Sequence, residues 1–313
     1  MNQNLQFWAV GECMLELRQD GENTLRTSAA GDTYNTSVYL KRLLPALTVA
    51  YVSALGDDSV SDGIRAQLRG HGIADGLLDS LPGQLPGLYL IETDTRGERR
   101  FRYWRQQSAA RSMLGAAHLE RLYAALPACG GLLLTGITLA ILDDTRRAAL
   151  LELAASVRRQ GGWVVLDSNY RPALWPADVA RHWLARALVV ASHALLSADD
   201  EAQLHGDTDA AATLARVLRA CEAEVVIKMG ESGCLLGGPG RPSVAVPATA
   251  AQVRDTTAAG DSFNAAYLAG RWSGLTPEAA AVLGGRLAAV VVGHAGAIVP
   301  AAAMASILMA IQP

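Results

Sequence analysis

The sequence predicts an α/β protein, a mainly parallel sheet with helices on both faces, extended by a small exposed β-sheet. Three observations predict it. From about residue 118 strand-like and helix-like runs alternate. Before that, Gly87–Thr93 and Glu98–Arg105 flank a polar turn and read as a hairpin. Half of the 313 residues are apolar, enough for a sizeable core.

Phe7–Cys13 reads as a short buried strand ending at Gly11, and the alternating Met14–Arg18 as a second strand. Thr33–Leu44 has helical spacing, with Asp32 or Thr33 as its cap. Leu47–Leu55 is a strand and Ser59–His71 an amphipathic helix. The second hairpin strand, ERRFRYWR, is too charged for the middle of a buried sheet. It is therefore assigned to a small sheet, from segments near 12–20 and 87–106, that serves as a lid or an oligomer contact. Beyond it come strands Gly131–Thr135, Trp163–Asp167, Ala194–Ser197, Val225–Met229 and Cys234–Leu236. Helices Asp144–Gln160, Ala177–Ala187 and Ala210–Cys221 lie between them. Such helices imply right-handed crossovers and a parallel sheet, with ligands at the carboxyl ends of the strands. No linker divides the chain, so 1–313 is read as one domain.

Composition excludes several classes. A net charge of -3 argues against a nucleic-acid partner. Lysine occurs only at positions 41 and 228. The four cysteines form no CxxC and the six histidines no HExxH, which disfavours a zinc site and fits a reducing cytoplasm. The N-terminus lacks the features of a signal peptide. Leu287–Ile311 carries no charged residue, but it is mostly Ala and Gly and is interrupted by His294, Gly296 and Pro300. It reads as a buried helix, a loop and a short terminal helix, and no membrane association is expected.

The most informative segment is Asp255–Phe263, DTTAAGDSF, small residues running into a helical stretch. Small side chains let a ligand approach first-turn amides that have no intrahelical acceptor, and such a turn binds phosphate. Asp261 lies in that turn, where a bound anion would repel it, and general-base work would explain its presence. On spacing alone an ordinary capping Asp fits equally. The nine residues resemble the second signature of the ribokinase (PfkB) family of carbohydrate kinases, and the element order agrees over nearly the whole chain. The resemblance implies a Rossmann-like, ribokinase-like domain with a small β lid. It implies that Asp261 is the catalytic base and that the amides of Ala258, Ala259 and Gly260 form the anion hole. An ordinary Asp, with a pKa near ~3.9, is a weak base. That suffices where the transition state is loose and the hydroxyl proton leaves late. No P-loop, protein-kinase signature or dinucleotide fingerprint is present.

Val225–Gly233 resembles the family's nucleotide-binding segment, which implicates Lys228, Gly230 and Gly233 on the ATP side, with Gly260. A lysine at a strand end would otherwise simply face water. Ser197-Ala198-Asp199-Asp200 falls where the family has Asn-x-x-Glu, with Ser for Asn and Asp for Glu. The shorter Asp200 implies a magnesium contact through water, or else only an acidic helix start. Asp255 and Thr257 sit where some relatives bind potassium.

Ala30–Asn35 resembles the family's sugar-binding segment, with Ala30 for the first glycine, and implicates Gly31, Asp32 and Asn35. Arg105 and Arg171 point to an acidic acceptor, because guanidinium groups pair with carboxylates. The segments around Tyr89, Tyr103–Arg105 and Asn169–Pro172 resemble the 2-keto-3-deoxygluconate kinases within the family. The implied acceptor is 2-dehydro-3-deoxy-D-gluconate, phosphorylated on its 6-hydroxyl. Arg105 and Arg171 would hold its carboxylate, Tyr89 and Tyr103 would line the pocket, and Asn169 would stand on the nucleotide side. A neutral sugar or nucleoside acceptor, a non-catalytic sensor and a dehydrogenase are the alternatives. The exposed lid edge suggests a homodimer.

Overall fold

The computed structural model describes residues 5–19, 21, 23–93 and 99–310. Its strands are β1 (Gln6–Val10), β2 (Met14–Gln19), β3 (Leu25–Ala30), β4 (Thr48–Leu55), β5 (Leu78–Ser80), β6 (Leu88–Thr93), β7 (Arg99–Trp104), β8 (Cys129–Thr135), β9 (Trp163–Asp167), β10 (His193–Ser197), β11 (Glu224–Lys228), β12 (Cys234–Gly238) and β13 (Arg241–Val246). Among the described residues nine of them form one sheet, in the order β13-β12-β11-β10-β9-β8-β1-β4-β5. From β11 to β5 all neighbours run parallel, and β12 and β13 close one edge antiparallel. The central strands are apolar runs buried on both faces, as in β8, where all seven residues are buried.

The helices are α1 (Asp32–Leu43), α2 (Ser59–Gly70), α3 (Ala116–Ala125), α4 (Gly136–Ile141), α5 (Asp144–Arg159), α6 (Ala177–Val190), α7 (Ala198–His205), α8 (Ala210–Leu218), α9 (Ala259–Trp272), α10 (Pro277–Val292) and α11 (Ala305–Leu308). They divide the interior into two large apolar layers, one on each face of the sheet. Trp8 and Leu132 belong to one layer, Phe7 and Leu133 to the other, as strand alternation requires. Each fully buried side chain of this kind contributes about 1.5–3 kcal/mol.

The second sheet has the order β3-β2-β6-β7. Its hairpin pairs Leu88–Thr93 with Arg99–Trp104 as expected, while the turn proposed at 94–97 lies outside the described residues. Strand β3 is an element that the sequence reading lacked. Its residues, LRTSAA, are short, polar or small, and its pairing along the whole of β2 makes it a strand. At the other end of the chain, α10 runs only to Val292, a loop follows, and α11 is one short turn. No helix among the described residues is long and apolar enough to cross a membrane.

Candidate active site

The strand order reverses between β1 and β8, so their carboxyl ends part and leave a crevice. A cavity of about 700 Å³ opens there. Its wall takes residues from the starts of α1, α7 and α9 and the ends of β9, β10 and β11, while Tyr89, Phe101 and Tyr103 of the small sheet lie across from them. Gly31 brings α1 close: a Cβ there would come 2.3 Å from the Glu12 carbonyl oxygen.

Asp261 stands in the first turn of α9, on the cavity wall. Asn35 Nδ2, from the first turn of α1, donates to its Oδ2 at 2.8 Å. Withdrawal from water pushes the carboxyl up to about 8, and the negative charge of Asp32 adds to this. The Asn35 hydrogen bond pulls it down, Asp167 raises it and Lys228 lowers it. The carboxyl therefore holds its proton more tightly than the ordinary Asp assumed from the sequence. The helix's first ladder bond is Ser262 N to the Ala258 oxygen, so the preceding amides lie outside the ladder. The Ala259 amide makes a 3.2 Å turn bond to the Thr256 oxygen, for which an oxyanion there would compete. Ala258 holds φ 61°, a left-handed conformation that suits glycine better.

Lys228 does not face water. Its Nζ donates to Asp167 Oδ1 and Asn264 Oδ1, both at 3.1 Å, and Asn264 Nδ2 donates to Asp167 Oδ2 at 2.7 Å. Parallel neighbours β9 and β11 flank β10, which brings a strand-end carboxylate within reach of a strand-end lysine. Asp167 and Asn264 are parts of this arrangement that the sequence reading missed. Asp167 was legible only as the last residue of a strand, and Asn264 as a helical residue after the motif.

The N-cap of α1 is Gly31, not Asp32 or Thr33 as expected, and Asp32, the first residue of the helix, is tied elsewhere. Its Oδ1 accepts from the Thr33 amide at 2.8 Å, and its Oδ2 accepts from Thr135 Oγ1 at 2.6 Å and Asn169 Nδ2 at 2.8 Å. Asp200 Oδ2 accepts from Ser168 Oγ at 3.0 Å and the Tyr170 amide at 3.1 Å. Burial raises its carboxyl above the usual range, and the charge of Asp167 does so further. Arg171 lies 3.8 Å from Asp200 Oδ1, with its side chain 53% exposed at the cavity. Ser197 and Gly230 also line the cavity. Asp255 accepts from Thr257 N and Oγ1 and from the Gly296 amide, bonds that hold the loop before α9.

Two expected positions are not on the cavity wall. Arg105 is 7% exposed, and its guanidinium is ion-paired with the buried Glu12 instead of lining the cavity. A buried carboxylate at the end of β1 requires a cation, and Arg105, leaving β7, is within reach. Gly233 also stands off the wall: it has φ 90°, and a Cβ would come 2.1 Å from the Val246 oxygen. Its lack of a side chain thus serves the packing of β13. On the small sheet, the Tyr89 hydroxyl donates to buried Glu16, and its ring lies 5.5 Å from that of Tyr103.

A carboxylate that can take a proton, beside amides that can bind an anion, in a crevice of this size, defines a kinase of small alcohols. The chain belongs to the pfkB family of carbohydrate kinases, whose model matches residues 6–304. It is 42% identical over 301 residues to a 2-dehydro-3-deoxygluconokinase of Dickeya dadantii, covering 94% of this chain and 97% of that protein. A PfkB protein of Polaromonas superposes with a TM-score of 0.83 at 25% identity, over 96% of this chain and 99% of that one. A Vibrio cholerae fructokinase, solved with fructose, ADP and calcium, shares the fold with a TM-score of 0.82 at 21% identity, over 98% and 100% of the two chains.

Proposed function

We propose that this carbohydrate kinase transfers the γ-phosphoryl group of ATP to the 6-hydroxyl of 2-dehydro-3-deoxy-D-gluconate. The observation that carries the reading is the placement of Asp261 on the cavity wall, held by Asn35 and preceded there by residues 258–260. The 42% identity to relatives that bear this activity in their name supports the substrate. Asp261 orients the 6-hydroxyl and takes its proton as the O–P bond forms, while the amides of Ala258, Ala259 and Gly260 accept the charge of the transferring group. The Asn35 hydrogen bond and the Lys228 ammonium favour the ionised base against the net negative charge that a magnesium-complexed triphosphate carries.

Lys228, Gly230, Ser197 and Asn169 serve the nucleotide side. A bound magnesium would offset part of the triphosphate's negative charge. Asp199 and Asp200 offer the oxygen donors a hard cation takes, and with one Asp200 oxygen already holding Ser168 and Tyr170, contact through water fits best. Potassium beside the loop of Asp255 and Thr257 stays within this proposal. At the acceptor end, Asp32 and Asn35 grip hydroxyls, Gly31 lets the ligand come close, Tyr89 and Tyr103 flank the sugar acid, and Arg171 takes its carboxylate. Arg105 joins it only by leaving Glu12.

The small sheet acts as a lid on a single kinase domain in the cytoplasm. Register places Leu15, Leu17, Leu25, Leu88, Leu90 and Trp104 on the sheet face away from Tyr89 and Tyr103. A second copy covering that face makes the homodimer, and light scattering on the purified protein checks it.

The deciding experiment incubates the protein with Mg-ATP and a panel of acidic and neutral sugars and follows ADP release. Selective turnover of the keto-deoxy acid is expected. Equal or faster turnover of fructose or ribose would reassign the acceptor, and no turnover with any sugar would favour a sensor.

A further inference from the structure

Asn35 is 5% exposed and lines the cavity. Its backbone amide is spent on the Gly31 carbonyl, at 2.8 Å, and its Nδ2 on Asp261 Oδ2. Its side-chain Oδ1 is buried and finds no hydrogen-bond partner among the described residues. Beside it, Thr36 Oγ1 lies 3.0 Å from the Asp32 carbonyl oxygen and 3.3 Å from that of Asp261, so its one proton is shared between α1 and the start of α9. A buried acceptor left unmatched costs free energy unless a ligand donor meets it.

The titratable groups facing Asp261 come from three elements. Asp32 and Tyr39 stand on α1, Asp167 ends β9, and Lys228 ends β11. The two carboxylates oppose its ionisation, and the ammonium favours it. That ammonium is already shared between Asp167 and Asn264. Among the described residues, the side-chain hydrogen bond to the Asp261 carboxylate comes from Asn35.

We propose that Asn35 is a positioning residue for the base: its amide N–H₂ anchors Oδ2 of Asp261 and favours the ionised form, leaving Oδ1 to meet the acceptor hydroxyl. Its own unmatched Oδ1 receives a hydrogen bond from the acceptor. This rests on the reading of Asp261 as the base. The proton then moves from the acceptor hydroxyl to Asp261 as that oxygen bonds to phosphorus and the bond to the departing ADP oxygen breaks.

The test measures kcat/KM against pH, from about pH 6 to about pH 10, for the wild type, Asn35→Ala and Asn35→Ser. Loss of one charge-assisted hydrogen bond moves the acid limb upward by about one pH unit, and lowers turnover at neutral pH by about tenfold, with recovery at higher pH. A purely structural role would lower the rate at every pH and leave the limb where it was. Where Asn35→Ala fails to fold, Asn35→Ser, which keeps a small polar side chain in the helix, supplies the limb. An unmoved limb overturns the proposal. Asp261→Asn run alongside separates the two readings. Wild-type turnover in that variant removes Asp261 as the base. An inactive Asp261→Asn with an unmoved limb in the Asn35 variants removes only the role given to Asn35.

Discussion

In the crevice of the nine-stranded sheet, polar side chains are tied to one another across elements that are distant in sequence. Asp261 is linked to Asn35, Asp32 to Thr135 and Asn169, and Lys228 to Asp167 and Asn264. In the four-stranded sheet and its junction the ties also join residues far apart in sequence, but each absorbs a group expected to meet the acceptor. Glu12 holds Arg105, and Glu16 holds Tyr89. The difference teaches that the crevice is organised before any ligand arrives, whereas Arg105 and Tyr89 of the small sheet start out bonded to internal carboxylates. Binding must compete with those bonds, which favours ligands that offer something better, such as a carboxylate of their own.

The sharpest break of this contrast removes one member of the buried ion pair. Arg105→Ala leaves Glu12 buried and unpaired, and should cost about 3–5 kcal/mol in urea unfolding. A loss below about 1 kcal/mol would mean that the pair is open in solution. In the crevice, Asp261→Asn should lower kcat by about a hundredfold or more with KM little changed. It should also make the protein more stable at alkaline pH. The folded carboxyl titrates near 8 and the unfolded one near 3.8, so the native state holds the proton more tightly. Wild-type stability is thereby lost as pH rises between those values, and the asparagine variant escapes that loss. Its melting temperature should gain more over the wild type at pH above 8 than at pH near 4, and equal gains at both would contradict the perturbed carboxyl.

Arg171→Ala tests the exposed cation that the crevice offers to an acidic acceptor. Its KM for the sugar acid should rise by about tenfold, the scale of a rim charge, while KM for ATP stays put. Tyr89→Phe removes the hydroxyl that Glu16 holds and should raise the same KM only severalfold. The smallest effect concerns the phosphate turn. Ala258→Gly relieves a left-handed alanine and should change stability by no more than about 1 kcal/mol.

Much of this molecule was legible in its residues. The alternation of apolar runs and helices located the main sheet, because hydrophobic periodicity is a local property that burial on both faces imposes on each strand. DTTAAGDSF marked a helix start suited to an anion, because the unpaired amides of a first turn and the small side chains beside them are local as well. Strand β3 escaped notice because it draws its regularity from pairing with β2 and not from its own pattern. Tertiary structure alone decided the raised proton affinity of Asp261, the partners of Lys228 and the direction in which Arg105 points. Each depends on groups dozens to hundreds of residues away, and the electrostatics of a side chain follow from what surrounds it in space and how much water is left there.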